Sequence, residues 1–100
     1  GFMAQGGNGC ISVCSNVAPK LNAKLYDLWD ECKFDEVWKI RNLLHPLNIA
    51  LFSEPNPVPI KYACSILNKC LPEVRPPMVP LNSHTKEQIK KCMKDAGIIY

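Results

Sequence analysis

Six cysteines, two histidines and a scatter of lysines are the side chains here that could make or break bonds. Their spacing limits what they can do. The cysteines stand at Cys10, Cys14, Cys32, Cys64, Cys70 and Cys92. An even number in a short chain suits a disulfide scaffold. Against that, no two form Cys-x-x-Cys, so the usual zinc knuckle is missing. Most also continue an apolar stripe, where a free cysteine behaves as a small hydrophobe. The spacing therefore reads as free, mostly buried thiols. The alternative is a secreted, disulfide-stabilised helical module of the lipid-binding kind. In it Cys10 and Cys14, on one extended segment, would lie about 13 Å apart and could not bond to each other. His45 and His84 are isolated, with no second ligand one helical turn away, so a surface or capping role is expected and no metal site. Lys86, Lys90, Lys91 and Lys94 line one helix as a solvated face, and Trp29 and Trp38 read as packing between helices.

The elements that must position these groups follow from hydrophobic period. Gly1 to Gly7 looks like the tail of a helix ending at a glycine. Cys10-Ile11-Ser12-Val13-Cys14, entered through Gly-Asn-Gly, alternates between faces and predicts a short strand. From Asn16 the period becomes helical. Leu21, Leu25, Leu28, Trp29 and Cys32 form one stripe, with Asn16 as cap and Pro19 in the first turn. A second helix, from about Asp35, carries Val37, Ile40, Leu44, Leu47 and Leu51 inward, with Pro46 predicting a kink or break.

The run Glu54-Pro55-Asn56-Pro57-Val58-Pro59 predicts a non-helical joint. Asn56 is placed to cap a third helix that buries Tyr62, Ala63, Ile66, Leu67 and Cys70. Leu71 to Asn82 is proline-rich and extended. A last helix starts near Ser83 or Thr85, with Thr85-x-x-Gln88 as a capping box; Ile89, Cys92, Met93 and Ala96 face inward and Gly97 ends it.

Composition bounds the rest. The hydrophobic fraction is 47% and the net charge +3, typical of a globular chain with no charge run to suggest a nucleic-acid partner. No apolar stretch approaches the ~18 residues that span a bilayer. The reading is thus mostly α, with one strand and about four helices. A lone strand leaves main-chain donors and acceptors unpaired on both edges. The chain therefore reads as a fragment of a larger sheet, and glycine-rich entry, strand and amphipathic helix form the repeating unit of a parallel α/β fold.

Three stretches resemble the C-terminal third of the dihydrodipicolinate synthase family. Phe2 to Ala18, containing Gly6-Gly7-Asn8-Gly9-Cys10-Ile11-Ser12-Val13-Cys14-Ser15-Asn16-Val17, is similar to that family's G-G-x-G-x-I-S-V-T-x-N-V. Leu51-Phe52-Ser53-Glu54-Pro55-Asn56-Pro57-Val58-Pro59-Ile60-Lys61-Tyr62-Ala63 is similar to L-F-x-E-x-N-P-I-P-V-K-x-A. Val74-Arg75-Pro76-Pro77-Met78-Val79-Pro80-Leu81 is similar to L-R-L-P-x-x-P-L. The order and near-family spacing hold along essentially the whole chain. Cys14 stands where the family has Thr, Pro76 where it has Leu, Asn48 where His is common, and Ser53 where a small apolar residue is usual.

The resemblance implies a (β/α)8 barrel parent, with residues 1–32 its last strand and helix and 33–100 a C-terminal helical segment. It implies a cytoplasmic, homotetrameric lyase of lysine and diaminopimelate biosynthesis, with no cofactor. That enzyme condenses pyruvate with aspartate semialdehyde through a Schiff base on a barrel lysine, with a tyrosine relaying protons. The lysine and tyrosine would lie upstream of Gly1, so no catalytic residue is expected here, the isolated chain is expected to be inactive, and Lys61 is not the Schiff-base lysine. The site residues carried over are Ile11, whose main chain meets pyruvate, and Asn56 at the pocket rim. A relative acting on another 2-oxo acid, such as N-acetylneuraminate lyase, is the second enzymatic reading. No nucleic-acid or membrane partner is expected.

Overall fold

Four α-helices form where the apolar period places them, and the computed structural model describes residues 1–100. They are α1 (Pro19–Asp30), α2 (Phe34–Leu51), α3 (Val58–Ile66) and α4 (Ser83–Asp95), preceded by single 3₁₀ turns at Met3–Gln5 and Cys14–Asn16. The central helix is α2, against which α1, α3, α4 and the Cys14–Asn16 turn all pack. Its predicted stripe is the one that is buried: Val37, Ile40, Leu44, Leu47 and Leu51. Leu47, Leu51, Ala63, Ile89 and Met93 are fully enclosed, and one apolar cluster runs from Cys14 to Met93.

Pro46 neither breaks α2 nor ends it; the helix continues to Leu51. A proline removes the donor that would bond the carbonyl four residues earlier, here Asn42. Both residues are exposed, where water can reach the unpaired acceptor, and of the expected kink or break the break does not occur.

The helix ends share one device. In α1 the N–H groups of Cys32 and Lys33 donate to Trp29 and Leu28 carbonyls at 2.9 and 2.9 Å. In α3, Asn68 and Lys69 donate to Ser65 and Cys64 at 3.0 and 3.0 Å. In α4, Gly97 and Ile98 donate to Lys94 and Met93 at 2.8 and 2.9 Å. Each is a Schellman motif, which needs a left-handed residue just past the helix. Cys32, Asn68 and Gly97 supply it, with φ of 57, 55 and 67°. This corrects Cys32, which was expected in the buried stripe of α1. The helix closes two residues earlier, and Cys32 is exposed in the turn.

Three caps also differ from expectation. Asn16 does not cap α1: it lies in the preceding 3₁₀ turn, where its side chain bonds the Val13 carbonyl, and Ala18 holds the cap position with no side-chain bond. α4 starts at Ser83, one of the two expected starts, but Thr85 does not cap it: it lies inside the first turn and is 3% exposed. The cap is Asn82, whose Oδ1 accepts from the Thr85 N–H at 2.8 Å. Asn56 does not cap α3 either: Pro57 occupies that position and no side chain bonds the helix start. The proline run enters the helix instead of preceding it, since Pro59 fits the first turn, where no donor is needed. Val58, Pro59 and Ile60 are thereby buried.

No β-strand forms. Cys10 to Cys14 was expected to be one, and instead it runs irregularly into the Cys14–Asn16 turn. The physical reason is the one that made a single strand doubtful: an extended segment needs a neighbour to pair with, and no other segment of this chain is extended beside it. At the start, Met3–Gln5 makes one 3₁₀ turn that closes on left-handed Gly6, as a helix tail would.

Candidate functional site

The segment that resembles a barrel strand and the joint that opens α3 hold both expected binding residues. Ile11 is 105% exposed, and its N–H and C=O take part in none of the main-chain hydrogen bonds. Immediately after it the chain becomes rigid. Ser15 Oγ donates to the Ser12 carbonyl at 2.5 Å, and Asn16 Nδ2 to the Val13 carbonyl at 3.0 Å. These short polar side chains satisfy main-chain acceptors locally, as they do in turns. Cys14, 1% exposed, anchors the turn in the core. Burial pushes its thiol up from the ordinary 9.0, and a hydrogen bond with Asn22 opposes the shift. The turn touches α1, α2 and α3, so Ile11 projects from a fixed base.

Asn56 is exposed and has no side-chain hydrogen bond. Its neighbourhood is tied down from two sides. Val58 N–H donates to the Pro55 carbonyl at 3.1 Å, and Glu54 Oε1 accepts from the Asn82 N–H at 3.3 Å. Ile11 and Asn56 are thus each presented on the surface by ordered turns.

The other candidate groups are dispersed. Lys61 Nζ donates to the Glu73 carbonyl, so this ammonium holds the proline-rich segment. His45 and His84 are exposed. Lys90 pairs with Glu87 at 3.1 Å, while Lys86 departs from the expected solvated face by lying 5.8 Å from the Tyr62 ring centre. Trp29 packs edge-on to Phe34, with centroids 5.1 Å apart. Trp38, by contrast, is 49% exposed, only half covered by its neighbours. The thiols divide evenly, correcting the expectation of mostly buried cysteines: Cys14 is buried, Cys64 and Cys92 are half-buried, and Cys10, Cys32 and Cys70 are exposed; none is in a disulfide.

Sequence reasoning missed an apolar hollow between the first turn, α1 and α2, lined by Phe2, Met3, Leu25, Trp29, Trp38 and Arg41. Its sequence signal was Trp38, an aromatic one residue past the stripe position Val37 and off the buried face of α2. It shares no residue with the Ile11 or Asn56 segments, and it offers shape without a reacting group.

Comparison with known proteins completes the picture. Residues 1–96 match the Dihydrodipicolinate synthetase family. The chain belongs to that family. The 4-hydroxy-tetrahydrodipicolinate synthase of Rhodospirillum centenum is 45% identical over 98 residues, which are 98% of this chain and 34% of that protein. The dihydrodipicolinate synthase structure from Thermotoga maritima superposes with a TM-score of 0.93 at 35% identity, covering 98% of this chain and 33% of that one. The chloride-inhibited synthase from Acinetobacter baumannii, crystallised with pyruvate, superposes at 0.89 with 32% identity, over 98% of this chain and 34% of the other. The chain therefore spans about a third of the length of its dihydrodipicolinate synthase relatives. Those structures are (β/α)8 barrels; what this chain shares with them is a helical third. Membership in this family replaces the disulfide-stabilised lipid-binding alternative. No helix is long and apolar enough to cross a membrane.

Proposed function

We propose that this chain is the C-terminal third of a pyruvate-dependent lyase, a 4-hydroxy-tetrahydrodipicolinate synthase, contributing a wall of the active site and not the reacting groups. In this reading, residues 1–32 supply the last barrel strand and helix and residues 33–100 the helical segment behind them. The whole enzyme joins pyruvate to aspartate semialdehyde on the route to diaminopimelate and lysine, in the cytoplasm, as a homotetramer. A lysine and a tyrosine of the barrel form the pyruvate imine and move its protons. Ile11 meets pyruvate through its main chain, and Asn56 stands at the rim.

The observation that carries the reading is the near-complete match of this chain, in sequence and backbone, to one third of the synthases. Two physical facts support it. Ile11 keeps free main-chain groups at the point where a barrel would place a strand and, at its C-terminal end, a binding site. The chain also exposes 6786 Å², against roughly 5,700 Å² for a self-contained monomer of this mass. The surplus includes Phe2, Ile11, Ile49, Phe52, Leu71 and Val79, an apolar surface of the kind that other parts of a fold cover.

A chimera tests it. The first two thirds of the Thermotoga maritima synthase are joined to this chain in place of the matching third, and pyruvate is trapped with borohydride. The expected result is a reduced pyruvyl adduct on a barrel lysine and synthase turnover, with no adduct on the 100-residue chain alone. A folded chimera that cannot form the imine, or an adduct on Lys61 of the isolated chain, overturns the reading.

A further inference from the structure

The Schellman turn at the end of α3 reverses the chain, so that Cys70 comes back over the helix it has just left. Its thiol donates to the Lys61 carbonyl at 3.6 Å. Cys64 lies three residues after Lys61, on the same face, and helical side chains tilt toward the N-terminus. The two thiols therefore lie over the same last turns of α3. The Lys61 ammonium adds a second tie from the same turn to the returning segment, at the Glu73 carbonyl. Two independent contacts thus hold Cys70 where Cys64 can reach it. Cys64 is half-buried and Cys70 exposed. Burial, and after it the neighbouring Cys70, push the Cys64 thiol up, with Lys69 opposing.

We propose that Cys64 and Cys70 form a redox modification site, a dithiol that closes to a disulfide on meeting a hydroperoxide. The exposed Cys70, as thiolate, attacks one oxygen of hydrogen peroxide. The O–O bond breaks, hydroxide leaves and takes up the thiol proton as water, and Cys70 becomes a sulfenic acid. The Cys64 thiolate then attacks the Cys70 sulfur, and the S–O bond breaks. The departing hydroxide leaves as water with the proton of Cys64. In sum, two thiols give up two electrons and two protons, and one hydrogen peroxide becomes two waters. The division of labour follows from exposure: Cys70 meets the oxidant, while the more enclosed Cys64 keeps its proton until the sulfenic acid has formed, and only then gives it up to attack. The bond pins the start of the proline-rich segment, Leu71 to Asn82, onto α3.

The test uses the whole reduced chain, treated with hydrogen peroxide, alkylated, and mapped by mass spectrometry without reduction. Cleavage after Lys69 separates the two cysteines, so the cross-link is read directly. The expected product is a Cys64–Cys70 link that forms before Cys10, Cys14, Cys32 or Cys92 changes and is reversed by dithiothreitol. Cys64→Ser then leaves a dimedone-reactive Cys70, and Cys70→Ser, a change at an exposed site, leaves Cys64 a free thiol with the helical circular dichroism intact. Cys70 accumulating as sulfenic or sulfinic acid in the unaltered chain overturns the proposal. So does equal linkage of Cys70 to other cysteines, or resistance of both thiols to peroxide that oxidises the denatured chain.

Discussion

The segment from Gly7 to Val13 and helix α2 carry equally clear hydrophobic patterns, yet one organises itself and the other does not. In α2 the stripe Val37, Ile40, Leu44, Leu47 and Leu51 is enclosed by α1, α3 and α4. In the other, Ile11 and Val13 alternate correctly, but Ile11 ends fully exposed. A helix satisfies its main chain within itself, whereas a strand needs a partner that is elsewhere in the fold. Pattern alone therefore predicts a helix more safely than a strand whose neighbours are distant in sequence.

The sharpest way to break this contrast is to truncate one apolar side chain in each region. Leu47→Ala, at a position with 0% exposure, is expected to cost about 2–5 kcal/mol. Ile11→Ala in the same chain is expected to stay within about 0.5 kcal/mol. Urea unfolding of both decides it, and equal losses would show that the Ile11 segment is packed after all. Next in size is the local control of helix ends. Asn82→Ala removes the acceptor for the Thr85 N–H and is expected to cost about 1 kcal/mol by the same measurement. A comparable change of opposite sign is expected at the end of α1. Cys32 holds φ 57°, which is unfavourable for a side chain with a Cβ, so Cys32→Gly is expected to gain up to about 1 kcal/mol despite the greater freedom of glycine when unfolded. A loss there would show that the Cys32 side chain contributes packing.

The same contrast explains which parts of the molecule could be read from sequence. The stripes of α1, α2 and α4 were legible because each is repeated over several turns. The ends were less so. The Thr85-x-x-Gln88 pattern pointed to Thr85, whereas the bond from the Thr85 N–H to Asn82 and the burial of Thr85 put the cap at Asn82. Val58, Pro59 and Ile60 escaped notice because proline signals both a joint and a helix start, and the choice depends on whether α2 and α4 cover that turn. Ile11 and Asn56 were identified through resemblance. Nothing in their own spacing marks a binding role, because a main-chain contact such as the one proposed for Ile11 would leave no signature in side-chain type.

The proline in the middle of α2 has a consequence for how this helix meets its surroundings. Because Pro46 donates nothing, the Asn42 oxygen is an acceptor without its usual helical partner, on the outer side of an otherwise self-sufficient rod. Any neighbour that brings an amide or hydroxyl to that point can bond to α2 without competing with its internal ladder. Secondary structure rarely offers such a docking notch at mid-length, and here one imino acid cuts it.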